Sequence, residues 1–322
     1  MDNPPLRDGV SMRILSTGLQ GLTGEVAIAP LASKFESLGM GEDELDALVQ
    51  FVKPRPRLRA GADIIYAGQS TKCSTLLLSG IACSYRRLED GSRQIYSFHY
   101  PGDFCDLYRY VLSEKDRAIA VQALTDCSIA TIAYADIEQL LVQRPRVGLA
   151  LWRATMLDAG ILRERLLNAQ RGSALERVAN LLCEQLARRE AIGIASPVVP
   201  ITQIDIADAA ALSIVHVNRT VQTLRSLNVL STTSRTIEVV DRKQLARIAR
   251  FDGRYLNMPQ YVSKWAVQVG ESAPGNFLRK EEDSASLRGQ MPMQFAPNRK
   301  ELRAASERIG ATADRRCGRA PR

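Results

Sequence analysis

Residues 146–170, RVGLALWRATMLDAGILRERLLNAQ, keep a helical pattern for 25 residues with no internal proline. A helix of that length runs about 37 Å at 1.5 Å per residue. Pro145 stands just ahead of it, where a missing N–H costs nothing in a first helical turn. Leu151, Ala154, Leu157, Ile161 and Leu162 fall on or near one face. The segments before it are short and make too small a domain to cover such a helix. The pattern therefore predicts that the same helix from a second copy of the chain supplies the remaining cover. Leu151, Ala154, Leu157 and Ile161 are the expected dimer seam.

The flanking segments have different periods. GEDELDALVQF at 41–51 reads as a short amphipathic helix with acids in its first turn. From about 57 to 135 the chain holds short apolar runs between turn signals, with Asp90-Gly91 as a hairpin signal between two of them. That spacing predicts an antiparallel sandwich or roll of about eight strands. After Ala135 the period is helical: DIEQLLVQ at 136–143, the long helix, then ALERVANLLCEQLARR at 174–189. A proline-containing loop follows. Thr202-Gln-Ile-Asp205 then fits a capping box that opens a helix to about Ala210. Residues 231–240 read as a small hairpin, and DRKQLARIARF as a last helix. The fold class is α+β.

Composition excludes several classes of function. With 322 residues, 45% of them hydrophobic, the chain can bury a sizeable core. Its net charge of +8 is compatible with an acidic partner such as nucleic acid. No apolar run reaches the length of a membrane span, and the first thirty residues lack the charged-then-apolar order of a signal peptide. The six cysteines form no C-x-x-C pair, which argues against a disulfide framework or a zinc site and for a reducing, cytoplasmic location. Cys105, Cys127 and Cys183 are candidates for an oxidation switch, though packing is the plainer reading of all three. Only His99 and His216 represent histidine, so no metal site, cofactor or catalytic residue is assigned. A Cys105–His99 dyad has no third group to orient it, and an enzyme is not expected.

Residues 212–227 read LSIVHVNRTVQTLRSL. At 100° per residue Val217, Val221 and Leu224 share one face, with Leu227 nearby, and Ser213 stands at the N-cap. Val215, Arg219, Gln222 and Ser226 occupy the opposite face, flanked by His216 and Asn218. Such a stripe suits the DNA major groove. Arginine donates to guanine O6 and N7, a valine methyl meets a thymine methyl, and asparagine or glutamine pairs with adenine. Arg225, nearer the C-terminal end, suits a phosphate. The short helix from Thr202 completes a helix-turn-helix, and the hairpin that follows has the position and size of a wing. Thr202, Ser213, Val215, His216, Asn218, Arg219, Gln222 and Arg225 are the expected DNA-binding residues.

This order of elements resembles the Crp/Fnr superfamily of bacterial transcription regulators over residues 33–256. The resemblance rests on PGDF at 101–104, RAIAV from Arg117, ALERVANLL, and VHVNRTVQTLRSLNVL at 215–230. The HVNRT form is most similar to the rhizobial FixK-like branch. The resemblance implies a cyclic-nucleotide-binding-like β-roll at 33–144, a dimerisation helix at 145–171 and a winged helix-turn-helix at 172–256. Residues 1–32 and 257–322 are expected to be a disordered extension and tail. It also implies double-stranded DNA with a palindromic operator, a second copy of the chain and RNA polymerase as partners, and no membrane.

The family's nucleotide-holding residues are degenerate here. Cys105-Asp106 stand near its Gly-Glu pair, Arg117-Ala118 replace its Arg-Ser pair, and Leu162-Arg163 replace its Thr-Ser purine contact. Only the arginine survives, so binding of cyclic AMP is not expected, although a pocket for another small molecule stays open as an alternative. No cysteine precedes Cys73, which argues against the family's N-terminal iron–sulfur centre. Ile214 and Val215 replace a base-reading Arg-Glu pair while Arg219 keeps the second arginine, so half-site preference should differ from TGTGA-type sites.

Overall fold

The computed structural model describes residues 29–112 and 119–257. Helix α1 (Ala29–Ser37) opens the described chain. The expected extension therefore ends four residues early: Leu31 and Phe35 bury one face of α1, and that burial makes 29–32 helical. The rest of the extension, the loop at 113–118 and all but the first residue of the expected tail lie outside the described residues. Helix α2 (Glu42–Val49) follows, with acids 42–44 in its first turn.

Among the described residues seven strands make the roll, in two antiparallel sheets. One has the order β1 (Lys53–Pro54), β7 (Ser128–Ala133), β3 (Cys73–Ser79). The other has the order β2 (Asp63–Ile65), β6 (Ala120–Ala123), β4 (Ala82–Arg87), β5 (Arg93–His99). The hairpin between β4 and β5 turns at Gly91, whose φ of +82° is a left-handed conformation open to glycine. Two isolated antiparallel bridges, Leu58–Cys127 and Leu76–Phe104, add to these sheets. Gly102 of PGDF also has positive φ, +91°, and a Cβ there would lie 3.2 Å from the Pro30 carbonyl oxygen. Its lack of a side chain lets α1 lie against this loop.

A four-residue turn α3 (Tyr108–Val111) leaves the roll, and α4 (Tyr134–Gln143) leads into α5 (Pro145–Arg171). Helix α5 is one unbroken rod, as its sequence predicts. Helix α6 (Ala174–Ala191) is capped by Ser173, whose hydroxyl accepts from the Glu176 amide. The sequence reads α6 as an ordinary amphipathic helix, yet it is enclosed almost all round. Asn180, Glu184, Gln185, Arg188 and Arg189 are buried together with its apolar residues.

The charged residues among them are partnered, as buried charges must be. Arg188 donates to Asp103 Oδ2 at 2.9 Å. Glu184 accepts from Arg165 of α5 at 2.6 Å. The Tyr100 hydroxyl donates to Gln185 Oε1, and Arg189 donates to the Val198 carbonyl. Helix α6 is thus a central strut that joins the roll, the long helix and the C-terminal elements in one hydrophobic core.

The C-terminal elements are β8 (Val198–Val199), α7 (Gln203–Ala210), α8 (Ile214–Ser226), β9 (Leu230–Thr232), β10 (Ile237–Val239), α9 (Arg242–Ala249) and a 3-10 turn at Gly253–Leu256. The expected hairpin β9–β10 gains a third strand, giving the order β8–β10–β9. Two-residue β8 follows the proline-containing loop and has no local pattern to reveal it. A second bond joins this part to the roll: Arg93, on the β4–β5 hairpin, donates to Asp205 at 2.6 Å and to Asp208 at 2.7 Å, both on α7.

Candidate functional site

The Thr202 capping box forms as its spacing predicts. The Asp205 amide donates to Thr202 Oγ1 at 3.1 Å, and the Thr202 amide donates back to Asp205 Oδ2 at 2.9 Å. Ala211, at φ +50°, ends α7 in the left-handed conformation and starts the tight turn to α8. Ser213 caps α8 by accepting from the His216 amide. Thr202 and Ser213 are therefore occupied in setting the two helices.

Helix α8 has two faces of opposite character. Val217, Val221 and Leu224 are each no more than 2% exposed. Leu227, expected near that face, is exposed. On the outer side Val215, His216, Asn218, Arg219, Gln222, Arg225 and Ser226 are all exposed. Among the described residues neither the Arg219 nor the Arg225 guanidinium is engaged in a hydrogen bond or ion pair. His216 Nδ1 lies 3.2 Å from Ser213 Oγ, which ties the imidazole to the helix start. Arg235 adds a further exposed cation at the tip of the β9–β10 hairpin, in a turn closed by the Thr233 and Thr236 hydroxyls at 2.7 Å. It was not anticipated from sequence, although a lone arginine in the polar run STTSRT was the available signal.

The residues expected at the dimer seam are largely enclosed within the single chain. Leu151, Ala154 and Ile161 are buried within their own chain, and Leu157 packs beside them. Leu149, Trp152, Met156 and Leu166 are among the exposed apolar residues of α5, with Trp152 64% exposed. Their three- and four-residue spacing, continued by Ala159, is that of a coiled-coil seam. The helix carries two apolar faces, and the sequence alone does not say which one its own domain uses.

The residues at the degenerate nucleotide pocket separate. Arg117 and Ala118 lie outside the described residues. Asp106 is fully buried and faces strand β3: its Oδ1 accepts from the Thr75 amide at 2.7 Å and from Ser74 Oγ at 2.9 Å. Burial raises its carboxyl to about 6. It braces the sheet and is not part of a cavity wall. Arg163 is exposed. Cys105 and Leu162 do line a common space, a cavity of about 290 Å³ between the roll and α5.

His99 and Ser84 also face that cavity, with His99 Nε2 2.7 Å from Ser84 Oγ. Burial holds the imidazole down at about 4, so it is neutral at physiological pH. Cys105, Cys127 and Cys183 are all buried, and burial raises each thiol above its ordinary value. That removes the thiolate character an oxidation switch needs and supports packing as their role. Among the cavity groups that sequence reasoning missed is the carboxylate of Asp158, on α5.

Comparison with known proteins adds to this geometry. Residues 176–248 match the Crp-like helix-turn-helix domain, and residues 55–144 match the cyclic nucleotide-binding domain. The chain is 28% identical over 185 residues to the transcriptional activator protein FnrL of Cereibacter sphaeroides, covering 56% of this chain and 73% of that protein. It is 32% identical over 148 residues to the nitrogen fixation regulation protein FixK of Bradyrhizobium diazoefficiens, covering 45% of this chain and 60% of the relative. The solved structure of FixK2 from Bradyrhizobium japonicum superposes with a TM-score of 0.54 at 24% identity, over 61% of this chain and 96% of that one, and shares the fold.

Proposed function

The chain belongs to the Crp/Fnr family of transcription regulators, and from that premise we propose a homodimer that reads a palindromic operator through α8 without needing cyclic AMP. One observation carries the reading: the outer face of α8 is a polar stripe with two arginines unengaged among the described residues, and Val217, Val221 and Leu224 bury the opposite face. Arg219 lies mid-stripe, where a dimer inserts one copy into each of two successive major grooves. Arg225 and Arg235 flank it as phosphate contacts. The exposed stripe of Leu149, Trp152, Met156 and Leu166 supplies the dimer contact.

Independence from cyclic AMP is supported by Asp106, which is spent on β3, and by Leu162, which offers a purine no polar partner. In the described part of the chain no helix is long and apolar enough to cross a membrane. RNA polymerase is the partner proposed for the DNA-bound dimer.

Arg219→Ala and Arg225→Ala test the readout. If Arg219 donates to guanine, its loss costs about 1–3 kcal/mol per half-site and relaxes preference at one base position. Loss of Arg225 weakens all sequences alike and lowers the salt slope by about one unit per contact. Fluorescence titration on single-base variants of the operator, without cyclic nucleotide, separates the two. Equal, sequence-independent losses for both would remove Arg219 from base reading.

A second reading, that a small molecule regulates DNA binding through the roll, is favoured by the cavity itself. It lies against α5, and α5 shares a core with the DNA-binding elements through Ile161.

A further inference from the structure

Among the described residues, the cavity between the roll and α5 is faced by one carboxylate, and it has no partner. Ser84 and His99 bond each other. The Thr155 hydroxyl donates to the Leu151 carbonyl at 3.1 Å. Lys34 is bonded to Asp103. The two cations behind the wall are also taken, since Arg188 bonds Asp103 and Arg165 bonds Glu184 and the Tyr96 carbonyl. Asp158 faces the same space, and among the described residues it forms neither a hydrogen bond nor an ion pair. Burial raises its carboxyl to about 6, with Asp103 adding to the rise and Lys34, Arg188 and Arg165 opposing it. At neutral pH Asp158 is therefore mostly an anion, half-buried in the cavity wall and without a donor among the described residues.

The rest of the wall is apolar or aromatic, including Phe104, Leu107, Tyr108 and Leu162. The volume of about 290 Å³ lies near the lower end of small-molecule sites. An anionic ligand would meet an unpaired carboxylate and, among the described residues, cations already bonded to acids. We propose that this cavity binds a small organic amine with an apolar or aromatic body, its ammonium donating to Asp158. The proposal rests on the second reading above for its regulatory meaning, and on the cavity alone for binding.

Calorimetric titration of the full chain with three matched probes tests it: 2-phenylethylamine, 2-phenylethanol and phenylacetate, with cyclic AMP alongside. The amine should bind at least tenfold more tightly than the alcohol, and the two anions should not bind at millimolar concentration. Asp158→Asn should lose at least tenfold in amine affinity, keep its alcohol affinity, and melt at a higher temperature because the unpartnered charge is gone. The higher melting point shows that the variant is folded. Absence of amine binding, a preference for phenylacetate, or an unchanged amine affinity in Asp158→Asn would overturn the proposal. DNA binding measured separately keeps the two readings apart. Intact operator binding without amine preference sinks only the ligand. Amine preference without operator binding sinks only the regulatory reading.

Discussion

Replacing Asp103 with alanine is expected to cost about 3–5 kcal/mol of unfolding free energy. Asp103 lies in the PGDF loop and accepts from Lys34 of α1, from Arg188 of α6 and from the Tyr100 amide at 2.9 Å. The side chains of Lys34 and Arg188 are only 12% and 6% exposed, so the alanine variant leaves two buried cations without their acid. Burial pushes the Asp103 carboxyl up, but Lys34 and Arg188 more than offset it and hold it at about 2. That is below the ordinary carboxylate value of 3.8. A group so depressed contributes stability above its unfolded value and loses it as pH falls through its folded value. The gap between wild type and Asp103→Ala should therefore be full at neutral pH and narrow below about pH 4. Urea unfolding at several pH values measures both features. A loss under about 1 kcal/mol at neutral pH would mean that the cluster is not the junction described.

The second large effect concerns assembly. Met156→Asp should raise the dimer dissociation constant by ~100-fold or more, about 3 kcal/mol, because each protomer would bring an unpaired carboxylate to the seam. Met156 is 48% exposed in the single chain, so the variant should keep its fold and sediment as a monomer. Ile161→Asp is the contrasting control. At 1% exposure it should unfold the protomer and not merely separate two of them. A folded, dimeric Met156→Asp would move the interface off this stripe.

What was legible in the sequence follows the range of the interactions. Local signals held: the Thr202 and Ser213 caps, the Asp90-Gly91 turn, and the change from short runs to helical period near Ala135 all lie where the residues put them. The two faces of α8 were legible because only one of them is apolar. Helix α5 was not, because Leu151 and Ile161 on one side and Trp152 and Met156 on the other are equally apolar; only the placement of the roll and α6 decides between them. The burial of Arg188 and Glu184 was also hidden, since charged residues on an amphipathic pattern read as solvated until their partners, 85 residues away in the case of Asp103, are in place.

The central claim is that this chain is a sequence-specific DNA-binding dimer that needs no cyclic nucleotide. Selection of bound sequences from a random duplex pool, with purified protein and no cyclic AMP present, tests it most directly. Enrichment of a palindrome whose half-sites are about one helical turn apart is expected. That expectation would be contradicted if no sequence were enriched, or if enrichment appeared only when cyclic AMP was added.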